Sequence, residues 1–139
     1  MNLKIFFTPY KEIKKIINLK ISNYKKAELL ASVSRLNTIA MIKKAGSGHI
    51  GTSFSSIDIF VWIKFFQFKT NKKDINKKFR NIFFSSKGHD APGLYSVLYA
   101  LGIIKLGKIL KLRRIGGLDG HPDISVPGIE ANTGSLGMG

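Results

Sequence analysis

The sequence predicts an α/β chain, mainly helical with one short strand. Residues 24–45 carry apolar side chains at helical spacing. Residues 57–66 form a second helical run that has almost no polar face. The short apolar run Ile82-Phe83-Phe84 is followed by a glycine loop and a helix start, the strand–loop–helix order of α/β proteins. With 139 residues, 44% of them hydrophobic, the chain is long enough for one modest domain with a core.

Residues 1–22 read as a basic leader, and residues 23–139 as the domain. The lysines around Lys11-Glu12-Ile13-Lys14-Lys15 suit the solvated face of a frayed amphipathic helix. In the helix over 24–45, Leu29, Val33, Leu36 and Ala40 form the stripe expected to face the core. Gly46 ends it, and Lys43 and Lys44 complement the dipole of its last turn. Gly46 to Thr52 is a loop, and Ser55 to Asp58 gives a Ser-x-x-Asp start for the next helix. That helix, around Trp62, is apolar on nearly every side and calls for more protein around it. A polar connection from Lys69 to Arg80 leads to a buried strand at Asn81–Ser85. Asp90 then caps a helix with Pro92 in its first turn, which carries Leu94, Val97, Leu98 and Leu101 and stops at Gly102. Residues 103–115 read as a short basic helix, and the chain beyond Gly116 as loop.

Composition narrows the function classes. Lys plus Arg is 23 against 8 for Asp plus Glu, a formal net charge of +15. That charge raises the possibility of a nucleic-acid partner. It is spread along the chain, however, and lysine, Ile, Asn and Phe are abundant together, as coding drift in an AT-rich genome would produce. Cysteine is absent, so no disulfide framework can form, in keeping with a cytoplasmic setting. The apolar start at Met1 to Pro9 is too short for a secretory signal. The run from Ile57 to Phe68 is too short for a membrane span and contains Lys64 and Gln67.

Chemistry concentrates in three glycine-flanked histidines: Ser47-Gly48-His49, Lys87-Gly88-His89 and Gly120-His121-Pro122. A lone histidine is more often structural than catalytic, but here all three sit in glycine-punctuated loops. Imidazole suits proton transfer and anion contact near neutral pH. The Lys87–His89 loop before a helix start is a ready anion site, with phosphate the natural ligand. Asp90 opposes an anion there unless it is spent on capping. Thr133-Gly134-Ser135-Leu136-Gly137 offers main-chain groups to a flat heterocycle, or is an ordinary glycine turn. No histidine pair has helical metal spacing, and no Gly-x-Gly-x-x-Gly follows a strand.

Four ordered motifs carry a family resemblance. They are Ser47-Gly48-His49-Ile50-Gly51, then Ser85-Ser86-Lys87-Gly88-His89-Asp90-Ala91-Pro92-Gly93-Leu94-Tyr95, then Gly120-His121-Pro122-Asp123, then Pro127 to Gly137. From about Ala27 to Gly139 the chain resembles the N-terminal, thiamine diphosphate-binding part of the transketolase family, with closest likeness to the N-terminal subunit of its split members. The resemblance implies a fold with a mostly parallel sheet, of which this chain holds an incomplete, mainly helical part. It implies transfer of a two-carbon ketol unit between sugar phosphates with thiamine diphosphate as cofactor. His49 and His121 would be catalytic, His49 in proton transfer at the substrate and His121 near the aminopyrimidine and the substrate hydroxyls. His89 would contact the diphosphate, and Gly134, Ser135 and Leu136 would hold the cofactor through backbone groups.

The departures from the family pattern set further expectations. The Gly-Asp-Gly motif and the Asn that bind the family's metal lie beyond the Gly-Ser-Leu-Gly motif, so Mg²⁺ is expected only with a downstream segment. The activating glutamate lies in another domain. The chain alone is therefore expected to be inactive, and to need a complementing C-terminal transketolase chain or a homodimer. Asp90 stands where the family has a small or neutral residue, and Thr52 and Met138 are further departures. Two rival readings remain: a non-catalytic transketolase remnant, and a basic nucleic-acid-binding module, which leaves the three histidine loops unexplained. No membrane association is expected.

Overall fold

A computed structural model of the chain describes residues 6–134. Five helices make up its regular structure: α1 (Tyr10–Ile17), α2 (Asn23–Ala45), α3 (Ile50–Val61), α4 (Ala91–Ala100) and α5 (Leu106–Ile109), with a π-helical extension of α3 over Trp62–Gln67. Helices α2, α3 and α4 pack on one another, and α1 lies against α2 and α4. The core between them includes Leu30, Met41, Ile57, Val61, Tyr95 and Leu98.

From Thr8 onward the basic leader is anchored rather than frayed. Thr8 N–H donates to Asn37 Oδ1 at 2.7 Å, Asn37 Nδ2 donates back to Thr8 O at 3.1 Å, and Tyr10 N–H donates to Tyr99 Oη at 2.9 Å. These bonds turn the fully buried Ile13 of α1 into the core. The lysines remain outside, as the solvated face predicts, and Lys15 pairs with Glu12.

Helix α2 has its expected ends. Ser22 accepts from Lys25 N–H at the start, and Gly46 closes it in the left-handed region at φ 76°. Its buried face is rotated from the expected stripe. Of that stripe Ala40 is buried and Val33 packs against the core, but Leu36 is 47% exposed, whereas Leu30, Ala31, Ser34, Asn37, Thr38 and Met41 are buried. Asn37 and Thr38 can occupy this face because they have partners: Asn37 binds Thr8, and Thr38 Oγ1 lies 2.8 Å from Ser34 O and 3.0 Å from Ser96 Oγ, whereas Ser34 Oγ is buried without one.

Helix α3 starts at Ile50, five residues before the expected Ser55 signal. Ser55 instead donates its hydroxyl back to Thr52 O inside the helix. The π-helical turn, closed by Phe68 N–H to Ile63 O at 2.8 Å, rotates Lys64 inward to 2% exposure. The nearly all-apolar run is thus only half covered: Ile59 stays 57% exposed, and Trp62 is capped by a stacked Tyr24 ring at 5.1 Å.

The expected mostly parallel sheet is absent among the described residues, and Asn81–Ser85 is not a strand. The segment has no regular secondary structure, and no ladder partner for it occurs among the described residues. Phe83 packs on Phe60 at 5.6 Å, while Ile82 and Phe84 point outward at 62% and 54% exposure. A single parallel bridge, Leu112 with Leu118, is the only strand-like pairing among the described residues. The predicted basic helix over 103–115 shrinks to α5, because the chain turns at Arg113 with φ 55° and again at Gly116 with φ 71°.

Candidate functional site

Three loops meet at the front of α3 and α4. His49 precedes α3, and the Lys87–His89 loop precedes α4. The His121 loop is tied to the middle of α4, where the buried Tyr95 donates its hydroxyl to His121 O at 2.7 Å. The result is a row of imidazoles. The His49 and His89 ring centroids are 4.5 Å apart, and those of His89 and His121 are 5.1 Å apart, both edge to face. Residues spread over more than half of the chain thereby share one site.

Thr52 holds two of these loops together. Its hydroxyl lies 3.0 Å from His49 O and 3.2 Å from His89 O. Lys87 reaches across to α3, donating to Ser55 Oγ at 3.0 Å and Ser56 Oγ at 2.8 Å. Gly88, at φ 57°, lies so close to Gly134 that a Cβ built on it would overlap the Gly134 carbonyl oxygen. Only glycine fits there on both counts. This contact brings the start of the glycine-rich run onto the histidine loop. Of the three residues expected to hold a cofactor there, Ser135 and Leu136 lie outside the described residues.

The electrostatics favour a neutral His121. Burial lowers its pKa from the ordinary imidazole value, and the nearby His89, Arg113 and His49 charges lower it further. Burial raises the Tyr95 hydroxyl well above its ordinary value, helped by Asp119 and Asp123, so it stays a donor to His121 O. Arg113 and Arg114 line an open cleft of about 540 Å³ beside His121 and Asp119.

Asp90 corrects the sequence reading. It stands at the start of α4 but makes no capping bond there. Its Oδ2 accepts from Ser85 Oγ at 2.7 Å, and its Oδ1 is buried without a hydrogen-bond partner. The upstream hydroxyl has taken the carboxylate that the helix N–H groups would have used.

Two more buried polar atoms at these loops lack partners, His121 Nε2 and Thr133 Oγ1. Such groups are costly to leave unpaired and suit a ligand that brings its own polar atoms. Together with the glycine contact and His89 at a helix start, they fit a phosphorylated heterocycle, which the Asp90 carboxylate opposes. No cluster of three His, Asp or Glu arranged to hold a metal ion occurs among the described residues. None of the described helices is long and apolar enough to cross a membrane.

Comparison with known proteins gives a consistent family. The model of the family "Transketolase, thiamine diphosphate binding domain" matches residues 26–139. A similar protein is one of the subunits of the apulose-4-phosphate transketolase of Phocaeicola vulgatus, 36% identical over 113 residues, which cover 81% of this chain and 40% of that protein. The transketolase of Buchnera aphidicola subsp. Baizongia pistaciae is 37% identical over 115 residues, and that of Homo sapiens 35% over 106. These two alignments cover 79% and 76% of this chain but 17% of each relative, so the chain spans less than half the length of the relatives it matches.

Proposed function

Because the chain belongs to the transketolase thiamine diphosphate-binding family, we propose that it is the cofactor-binding N-terminal part of an enzyme that moves a two-carbon ketol unit between sugar phosphates. The observation that carries this reading is the row of His49, His89 and His121 beside the Gly88–Gly134 contact. Thiamine diphosphate, when bound, supplies a nucleophilic carbon that no side chain can provide.

The chain's own residues bind, orient and move protons. His89, in the loop before α4, contacts the diphosphate, and the adjacent helix N–H groups add favourable dipoles. Gly134, with Ser135 and Leu136, holds the cofactor through backbone groups. His121 Nε2 is buried, unpaired and kept neutral, so it can accept a proton or a hydrogen bond from the aminopyrimidine or a substrate hydroxyl. His49 is exposed at the mouth of the row and serves the substrate. Arg113 and Arg114 in the neighbouring cleft suit the phosphate of the sugar.

The activity belongs to an assembly formed with a complementing chain, in the cytoplasm. The Phocaeicola relative is itself named as one part of a multi-chain transketolase. Mg²⁺ enters with residues from that assembly. The test is ketol transfer between sugar phosphates, measured with thiamine diphosphate and Mg²⁺. We expect none from the 139-residue chain alone and measurable transfer after adding a complementing C-terminal chain. Activity of the purified chain by itself would refute the proposal.

A second reading, a non-catalytic remnant, has one observation in its favour: the buried carboxylate of Asp90 next to His89. Titration of thiamine diphosphate into wild type and Asp90→Ala separates the two. Binding by Asp90→Ala but not by wild type favours the remnant, and binding by both favours the enzyme.

A further inference from the structure

Two segments converge on the contact between Gly88 and Gly134. One runs from Arg80 through Ile82, Phe83 and Phe84 to the Lys87–His89 loop, and the other from Glu130 to Gly134. A single ion pair joins them at their bases. Arg80 Nη2 donates to Glu130 Oε2 at 2.6 Å, with the two side chains 24% and 10% exposed. Arg80 Nε also donates to Ile75 O at 2.7 Å. Bonds from two different nitrogens fix the plane of the guanidinium.

Beside this pair lies Lys64, turned inward by the π-helical extension, with Nζ 5.6 Å from the Phe83 ring centroid. Burial lowers its pKa, the Glu130 charge opposes that, and the Arg80 charge adds to it. Glu130 therefore pairs with Arg80 directly and acts on Lys64 only through its charge. Past Glu130 the segment is tied to the His121 loop: Asn132 Oδ1 accepts from Ile124 N–H at 2.8 Å, and Thr133 N–H donates to Pro122 O at 3.4 Å.

A sheltered ion pair adds little net stability, since desolvation offsets most of the attraction. Its directional bonds instead fix the register of what it joins. We infer that the Arg80–Glu130 pair is a positioning clamp, which sets Gly134 against Gly88 and so sets the approach of His121 to His89. The inference deepens the cofactor-site reading above and rests on it only where a ligand is titrated.

The test uses the full ligand-free chain with ¹⁵N-labelled backbone and histidines, as wild type, Arg80→Gln and the apolar pair Arg80→Met/Glu130→Leu. The apolar pair keeps side-chain volume without directional bonds. In both variants the His121 titration midpoint is expected to rise toward the ordinary imidazole value, as its burial and the facing His49, His89 and Arg113 are loosened. The Thr133 amide is expected to exchange about tenfold faster while the α4 amides stay protected. An unchanged midpoint and unchanged exchange in both variants overturn the inference. Global unfolding of both variants also overturns it, because the pair would then hold the core rather than the site. If Arg80→Gln alone unfolds, the apolar pair decides by the same two readings.

Thiamine diphosphate titrated with Mg²⁺ against the folded variants, each combined with a complementing C-terminal chain, should bind roughly ten- to a hundredfold more weakly than to wild type so combined. Affinity equal to wild type in a variant with a shifted His121 overturns the clamp as a cofactor-positioning device. A wild-type chain that binds no thiamine diphosphate even with the complementing chain defeats the cofactor reading alone, because the histidine and amide readings need no ligand.

Discussion

Helix α4 and the irregular segment Asn81–Ser85 just before it both carry apolar residues and end in opposite environments. All ten residues of α4 are buried. In the segment, Ile82 and Phe84 stand 62% and 54% exposed. A helix satisfies its own backbone and can enter a core once its side chains find neighbours. An extended segment needs another beside it before its backbone can leave water. The difference separates a region that is finished within this chain from one that is ready for more protein.

The largest effect that tests this contrast comes from α4. Leu98 is fully buried and touches the Gly128 turn. Leu98→Ala is expected to cost about 2–5 kcal/mol in chemical denaturation. A cost below about 1 kcal/mol would remove the distinction between the two regions.

Next comes Gly88→Ala, at the join between them. The left-handed backbone alone costs roughly 1–2 kcal/mol, and the new methyl must push Gly134 away. Denaturation midpoints and a thiamine diphosphate titration should both fall, and an unchanged affinity would separate the glycine contact from the site.

Smaller is the pH dependence of His121, beside α4. Its folded pKa lies below the unfolded value of 6.5, so the neutral form is favoured on folding. The associated stability is present above pH 6.5 and is lost as pH falls through the lowered value. Melting temperatures across pH 7.5 to 5 (roughly one unit above and more than one below the ordinary imidazole value) should decline in wild type and decline less in His121→Asn. Equal slopes would relocate the effect to other groups.

The smallest change in stability is expected from Ile82→Thr/Phe84→Thr, within about 0.5 kcal/mol. The readout is association instead: sedimentation should show the wild type self-associating with concentration and the double variant doing so less. A loss comparable to Leu98→Ala would show that the segment belongs to the core after all.

What the sequence revealed follows the range of the forces involved. The end of α2 was legible because Gly46 acts locally, and Ser22, which caps its start, is a local signal that was passed over. The buried face of α2 was not legible, because Asn37 and Thr38 are tolerated inside only through Thr8 and Ser96, which are distant in sequence. The start of α3 was misplaced because Ser55 bonds within its own helix. The strand at Asn81–Ser85 was read from side chains alone, and pairing depends on a neighbour that no local pattern reports. At the site, glycine spacing picked out all three histidine loops, yet their convergence depends on Thr52, Tyr95 and Gly134. Asp90 had the position and chemistry of a cap, and the hydroxyl of Ser85 redirected it. Arg113 and Arg114, expected on a helix, line the cleft because of the turn at Arg113, whose φ of 55° no residue type announces.

The Gly88–Gly134 contact has a consequence for the newborn chain. Synthesis runs from the amino end, and the stretch between these glycines takes on the order of several seconds to emerge. During that interval α2, α3 and α4 can already collapse together, while His89 stands without the backbone that will press against its loop. The histidine row is therefore assembled last, on a scaffold that already exists, and a ribosome that stalls between the two glycines would present the helices without the site.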